Sequence, residues 1–422
     1  MKIGFQQFAL STALAAMAVP AAMAQSTGDN PFLRGRYTAV TERQQPEFDP
    51  EVVRAGAFEI RSSLGLSADY NDNIFASETN EKSDTIIHIR PQADARSNWS
   101  SHELNAGVSV DRRQYGSNGS EDVTDYNAYV GGRLDVLRSF SFNGRVNGAH
   151  VTEERYEPAS ATSIEPAQYN VLGANIGASY QRDRFQLQGT VGTREEDFDS
   201  AFNFRDVTDT FYHGRAAYAV SPDVAFFLQG RHDDLDYDQP GTTPTPSRDG
   251  TRTTMQLGAS FELSAPFRGE IAVGSVQDDK ESRTDTDGLS VDGQLMWFPT
   301  QLTTVTFNAN RGVFDPGLPT SATATRTNLG VHVDHELLRN VVLFGTAGFG
   351  KYEFEGTVVG PPARAFDRED KFTDVTFGAG YKLNKHARLD VSYRLHSQDS
   401  SGLDADRDLD QNIFSIGIKL YP

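Results

Sequence analysis

The chain has 422 residues, with 58 acidic against 39 basic side chains, a net charge of -19 and no cysteine. That balance speaks against a nucleic-acid partner, whose phosphates would be repelled, and the missing thiols exclude disulfides and cysteine metal sites. The mean hydropathy of -0.50 and the lack of a long apolar run after the N-terminus exclude a bundle of membrane helices, but a membrane barrel passes this test because its lipid-facing and lumen-facing residues alternate and average out.

Residues 1–24 read as an export signal. Lys2 supplies the positive start, Phe8 to Val19 the apolar run, and Ala22-Met23-Ala24 the small-residue cleavage pattern. The mature chain is expected to begin at Gln25, with residues 25–56 as a periplasmic N-terminal extension and 57–422 as one β-barrel.

From Ala57 to Tyr421 the sequence repeats long stretches of alternation separated by breaks. Leu104, Ala106, Val108 and Val110 oppose Asn105, Ser109 and Asp111. Tyr126, Ala128, Val130, Leu134 and Val136 oppose Asn127, Arg133 and Asp135, and Met255, Leu257, Ala259 and Phe261 oppose Gln256, Ser260 and Glu262. Leu389, Val391, Tyr393 and Leu395 oppose Arg388, Asp390, Arg394 and His396, and the last segment sets Phe414, Ile416, Ile418 and Leu420 against Ser415, Gly417 and Lys419. Successive strand side chains point to opposite sides, so each segment has one oily face and one polar face. Val341 to Phe354 is apolar on both faces, and its register is ambiguous.

The breaks alternate between two kinds. Tight ones fall at Asn98-Trp99-Ser100, Leu137-Arg138-Ser139, Arg182-Asp183-Arg184, Ser221-Pro222-Asp223, Ala265-Pro266, Pro299-Thr300-Gln301, Arg339-Asn340 and Asn384-Lys385-His386; between them lie longer acidic ones such as Tyr156 to Ala167 and Gly356 to Lys371. Short and long in turn is the rhythm of outer-membrane barrels, with short periplasmic turns and long extracellular loops, and the count is about eighteen strands. The fold expected is therefore all-β, a closed antiparallel transmembrane barrel in the cell outer membrane with both termini periplasmic. Its first strand, Phe58 to Asp69, must pair with its last, Asn412 to Tyr421, because an open sheet edge cannot sit in hydrocarbon.

A barrel of that size leaves an aqueous lumen unless a loop folds in. The polar face that would line it carries Arg61, Arg90, Asp111, Arg133, Asp135, Arg145, Arg194, Arg231, Glu262, Arg268, Glu270, Asp292, Asp334, Asp374, Lys382, Arg388, Asp390 and Arg394. Both signs occur, so charge alone predicts no strong ion preference. No G-x-S-x-G elbow and no convergent Ser, His and acid set appears, so no catalytic residues, cofactor or metal are expected. The acidic runs Asp233 to Asp238 and Asp404 to Asp408 lack the Gly and terminal Glu of an EF-hand loop and read as solvated charge. Tyr115, Tyr126, Tyr180, Tyr218, Trp297, Phe298, Tyr352 and Tyr393 lie near strand ends, where aromatic girdles are expected.

Two stretches go beyond barrel grammar. Arg36 to Phe58, with Val40-Thr41-Glu42-Arg43, Pro46-Glu47-Phe48-Asp49-Pro50 and Arg54-Ala55-Gly56-Ala57-Phe58, leads into Tyr70-Asn71-Asp72-Asn73-Ile74-Phe75. The chain from about Arg36 onward resembles the putative β-barrel porin type 2 family, with Tyr70, Asp72, Asn73, Ile74 and Phe75 as the motif. It departs from the usual terminal Phe of such barrels, ending Leu420-Tyr421-Pro422. The resemblance implies an outer-membrane channel accompanying exopolysaccharide or capsule export, with a polysaccharide and a periplasmic export protein as partners beside outer-membrane lipid and lipopolysaccharide. A general diffusion porin for small polar solutes and a surface receptor or adhesin are the competing readings.

Overall fold

The structure, a computed structural model, describes residues 35–160, 165–239, 247–263, 266–281, 285–319, 321, 323–358 and 364–422. The export signal expected at 1–24 lies outside them. The barrel strands are β1 (Phe58–Asn71), β2 (Asp84–Ser97), β3 (Glu103–Tyr115), β4 (Val123–Leu137), β5 (Phe140–Thr152), β6 (Gln168–Arg182), β7 (Phe185–Phe198), β8 (Val207–Ser221) and β9 (Val224–Tyr237). They continue as β10 (Gly250–Glu262), β11 (Phe267–Lys280), β12 (Thr286–Thr300), β13 (Thr303–Phe314), β14 (Thr323–Leu338), β15 (Val341–Glu355), β16 (Glu369–Asn384), β17 (Ala387–Ser401) and β18 (Leu409–Leu420). Each pairs antiparallel with the next, and β1 pairs with β18 from Leu64↔Leu420 to Asn71↔Ile413, so the 18-stranded sheet is closed.

The seam shows how the edge problem is solved. The last strand stops opposite Leu64, which leaves Phe58 to Ser63 without it on that side. A short strand, Val53–Ala55, folds back and pairs with Phe58 to Ile60, Arg54 opposite Glu59. The reversal needs a residue at positive φ, and Gly56 sits there at +61°. Unpaired backbone at the end of the barrel wall is covered in this way.

Outward rows are apolar: Val130 is 55% exposed, Ile176 67%, Leu257 65% and Ile416 56%, alternating with polar neighbours on the other face. A slip of one residue would turn the opposite row outward, at about 2–4 kcal/mol for each Arg or Lys at mid-membrane depth. That penalty fixes the register. In the ambiguous segment β15, Leu343 and Phe349 point out while Tyr352 and Phe354 are buried inside.

The aromatic girdle needs a correction. Tyr126, Tyr218 and Trp297 are exposed on the outer face, and Tyr180 and Tyr393 share the parity of their outward rows. Phe298, Tyr352 and Tyr115 fall on the inner parity instead, with Phe298 7% and Tyr352 5% exposed. Position near a strand end is shared by both faces; only the step of two separates Trp297 from Phe298.

Candidate functional site: the inner wall and the chain that crosses it

All eighteen charged residues expected to line the lumen fall on the face opposite the exposed apolar rows. Most are tied to other side chains of the wall, eight of them to one another. Arg90 meets Asp111 at 3.1 Å, Arg133 meets Asp135 at 2.9 Å, Arg388 meets Asp390 at 2.7 Å and Arg394 meets Asp374 at 2.6 Å. Arg231 reaches Asp209 at 3.3 Å and donates to Asp233 at 2.6 Å, and Arg194 meets Glu196 at 2.6 Å. Glu270 takes a two-pronged contact from Arg215, both at 2.7 Å. Asp292 accepts from Gln256 and Asn310 at 2.7 and 2.6 Å, and Asp334 meets His332 at 3.1 Å. Some of these pairs lie along one strand, two residues apart, as in Arg133–Asp135 and Arg388–Asp390, and others, such as Arg90–Asp111 and Arg394–Asp374, bind neighbouring strands; both kinds leave little net field inside. Arg61 stands on the inner row of β1, and Arg145 is stacked on Tyr129 without a carboxylate.

Glu262, Arg268 and Lys382 have a different partner, the N-terminal segment. Gly35 N donates to Glu262 at 3.0 Å; Tyr37 stacks on Phe298 at 5.2 Å and 13°; Val40 N donates to Thr304 at 3.0 Å. Arg268 meets Glu42 at 3.3 Å, Arg43 meets Glu336 at 2.8 Å, Lys382 meets Asp49 at 3.0 Å and Lys385 meets Glu51 at 2.8 Å. Residues 35–51 thus form a strap along the inner wall from β10 to β16, at the end with the short turns. Its attachment is largely ionic, with the stacking of Tyr37, the backbone hydrogen bonds of Gly35 and Val40 and the Lys382 contact with Gln45 beside the ion pairs.

The other end is crossed by the loop after β5. Glu154 binds Arg113 at 2.9 Å, Arg155 holds Glu121 with contacts at 2.6 and 2.9 Å, and Glu153 binds Arg205 at 2.7 Å. Tyr156 then reaches β17, its ring 4.5 Å from that of His396, and is buried with Ala76 and Leu409. Arg407 donates to Arg155 O at 2.7 Å, and a Cβ at Gly317, between β13 and β14, would stand 2.9 Å from that of Ala159. Strands nine places apart in a ring of eighteen face each other, so a loop leaving β5 and touching the β13–β14 connection spans the lumen. Beside it, Tyr352, Phe354 and Phe372 form a buried aromatic cluster with Ala324.

Glu157 lies in this crossing. Burial pushes its carboxyl up to about 7; Arg326 opposes the rise, Glu153 and Glu154 add to it, and Arg205 opposes it. A docked loop therefore holds a proton that an undocked loop, with an ordinary glutamate value of 4.5, has released. Docking is strongest below the undocked value and weakens as pH rises through the docked one. Raising the pH from about 5 to about 8 is expected to loosen the loop, read as channel noise or protease access, and Glu157→Gln is expected to flatten that dependence.

The motif Tyr70 to Phe75 locks the seam. Tyr70 faces outward opposite Phe414, Asp72 accepts from Asn412 N at 2.7 Å and Nδ2 at 2.6 Å, and Asn73 is fully buried. Ile74 is 4% exposed, and Phe75 lies under Lys82 and Arg155 at 5.6 and 5.7 Å.

The family model of the putative β-barrel porin 2 matches residues 45–421. The chain belongs to that family. It is an outer-membrane barrel of the porin kind. No curated protein matches the sequence. Among solved structures this barrel is similar to the FrpB iron transporter of Neisseria meningitidis, at 10% identity and TM-score 0.49, over 81% of this chain and 62% of that one. It is also similar to the outer membrane protein OpdK of Pseudomonas aeruginosa, at 11% and 0.46, and to a BenF-like porin of Pseudomonas fluorescens Pf-5, at 11% and 0.47; each likeness covers 86% of this chain and 99% of the other. This porin thus spans less than two thirds of the FrpB length.

A plug is one reading of the N-terminal extension, but the wall residues that hold the strap and the path of the crossing loop were not legible. The signals were present but mute: a Tyr in an otherwise acidic loop, and two aromatics on the inner parity of β15.

Proposed function

We propose that this barrel is the outer-membrane passage for an exported polysaccharide, held narrow at rest by its own chain and opened when a periplasmic partner draws the strap away. The long loops then face the cell exterior, and both termini lie in the periplasm, as short turns do in barrels of this kind. The observation that carries the reading is the strap. Its acids Glu47 and Glu51 keep side-chain exposures of 70% and 66% at the mouth even while paired with Arg339 and Lys385, and its other charges hold the wall deeper in. Each of the strap's ion pairs has one side chain that reaches water, such as Arg43 at 33% and Asp49 at 28%, and pairs open to water are worth about 0–1 kcal/mol each, so a partner displaces modest contacts. A polar wall with its charges internally paired suits a hydroxyl-rich polymer, which requires hydrogen bonding without capture.

The competing reading, passive diffusion of small polar solutes, is favoured by the porin character of the family. Conductance in planar bilayers separates the two. The full-length barrel is expected to conduct weakly, and deletion of residues 35–51 to raise conductance severalfold, with high salt moving the intact protein the same way. A large steady conductance of the intact protein, unchanged by the deletion, favours the diffusion porin. Deleting the gene and finding normal surface polysaccharide removes the export reading.

A further inference from the structure

Arg145 differs from the other inner-wall arginines that contact a carboxylate. Among the described residues it has no ion pair and no hydrogen bond; its guanidinium lies over the Tyr129 ring, 3.8 Å from the centroid. The carboxylate that shares Tyr129 with it is bound by other donors, Asp94 accepting from the Tyr129 hydroxyl at 3.2 Å and from Gln92 at 3.0 Å.

Around Arg145 stand four asparagines of the same face: Asn143 and Asn147 beside it on β5, Asn175 opposite it on β6, and Asn127 on β4. None has a side-chain hydrogen bond among the described residues. They face inward, since Val130, Val146 and Ile176 on the same three strands are 55%, 54% and 67% exposed on the other side. Arg145, Asn147 and Asn175 are near the middle of their strands, between the levels of the crossing loop and the strap. The wall between them is bare. A Cβ at Gly173 would meet Asn147 Oδ1 at 2.8 Å, one at Gly177 would meet Asn143 Oδ1 at 2.8 Å, and one at Gly192 would meet Asn175 Cβ at 2.7 Å. The amides therefore lie flat over glycines, where any side chain would lift them.

An unpartnered amide carries two donors and an acceptor, the complement of vicinal hydroxyls. A guanidinium held by stacking keeps its planar fork of N–H donors, the complement of a carboxylate. We propose that Arg145, Tyr129, Asn143, Asn147 and Asn175 form a binding site for an acidic saccharide, the carboxylate taken by Arg145 and the ring hydroxyls by the amides. The site rests on the reading of the lumen as a saccharide passage and specifies which saccharide: one bearing uronic-acid units. In the neighbouring pairs, such as Arg133 with Asp135, the guanidinium already faces a carboxylate, which repels a second one.

The test is calorimetry on the full-length barrel in detergent, which needs neither conduction nor a partner. An oligogalacturonate is expected to bind and a neutral maltooligosaccharide of the same length to bind at least about tenfold more weakly, as loss of a hydrogen bond to a charged group implies. Arg145→Gln is expected to abolish that preference, Arg145→Lys to restore part of it, and Asn147→Ala to weaken both ligands, with the folded band on unheated gels unchanged. Equal affinity for the two oligosaccharides, an unaltered preference in Arg145→Gln, or displacement of the oligogalacturonate by inorganic phosphate at the same concentration overturns the proposal. Failure of the export reading is separate: normal surface polysaccharide after gene deletion, with Arg145-dependent binding intact, leaves an acidic-sugar site in a diffusion channel.

Discussion

Replacing both Arg155 and Tyr156 by alanine is expected to release the loop across the lumen and raise open-channel conductance severalfold. The two adjacent side chains hold the crossing from opposite sides, Arg155 toward the β3–β4 connection and Tyr156 toward β17. Arg155 grips Glu121 near the wall it leaves, with side-chain exposures of only 9% and 4%. Removing one partner of a buried pair costs about 3–5 kcal/mol, because the remaining charge stays buried alone. Tyr156 is the far anchor, buried between His396, Ala76 and Leu409. Truncating a buried aromatic to alanine typically costs about 3–5 kcal/mol, and less where water can refill the space. With both gone, Glu153 to Arg205 and Glu154 to Arg113 hold the near side, leaving the Arg407 hydrogen bond to the backbone of residue 155 and the packing of Ala159 on Gly317 to oppose a swing of the chain from the axis. Current through a pore is limited by its narrowest section, so displacement of a spanning loop changes conductance far more than loss of a wall charge does. Single-channel recording checks this, with limited proteolysis between residues 153 and 160 as an independent readout. Unchanged conductance together with a protease-resistant loop refutes the crossing as the constriction.

The same contrast explains what the sequence disclosed and what it withheld. Strand faces are local: the step from Trp297 to Phe298 decides lipid or lumen, and the lipid-facing penalty is large enough to enforce it at every strand. The tight turns were legible for the same reason, each lying between two alternating runs. The strap and the loop are held by pairs far apart in the chain, Lys382 with Asp49 across 333 residues and Arg407 with Arg155 across 252. No pattern within either segment marks its partner. Lys382 and Glu262 were legible as inward charges, but the chain that covers them was not. Likewise Arg145 was indistinguishable in sequence from Arg133, two rows away on the neighbouring strand; only the register, which places Asn175 and Gly131 opposite Arg145, shows that no acid stands within reach.

Asn73→Ala is expected to destabilise the folded barrel by about 3 kcal/mol or more, out of proportion to one loop residue. The side chain is fully buried and makes three hydrogen bonds: its Nδ2 donates to Ser77 O at 2.8 Å and to Asp410 O at 3.0 Å, and its Oδ1 accepts from Ser77 N at 2.9 Å. Alanine removes all three and strands backbone groups that water reaches poorly. The location amplifies the loss. Asn73 and its neighbour Asp72 tie the first loop to β18, where the sheet is closed by only the eight residue pairs from Leu64 to Asn71. A ladder between consecutive strands can re-form from its hairpin turn, whereas this seam joins the two ends of the chain and has no turn to guide it. Loosening its upper end exposes two strand edges at once, the one defect a barrel in hydrocarbon cannot tolerate. Denaturant unfolding in detergent micelles measures the loss, and Tyr70→Ala, which removes a lipid-facing side chain three residues away, is expected to cost far less. Equal losses for the two variants would mean that the motif contributes apolar surface at the rim rather than a hydrogen-bonded clasp.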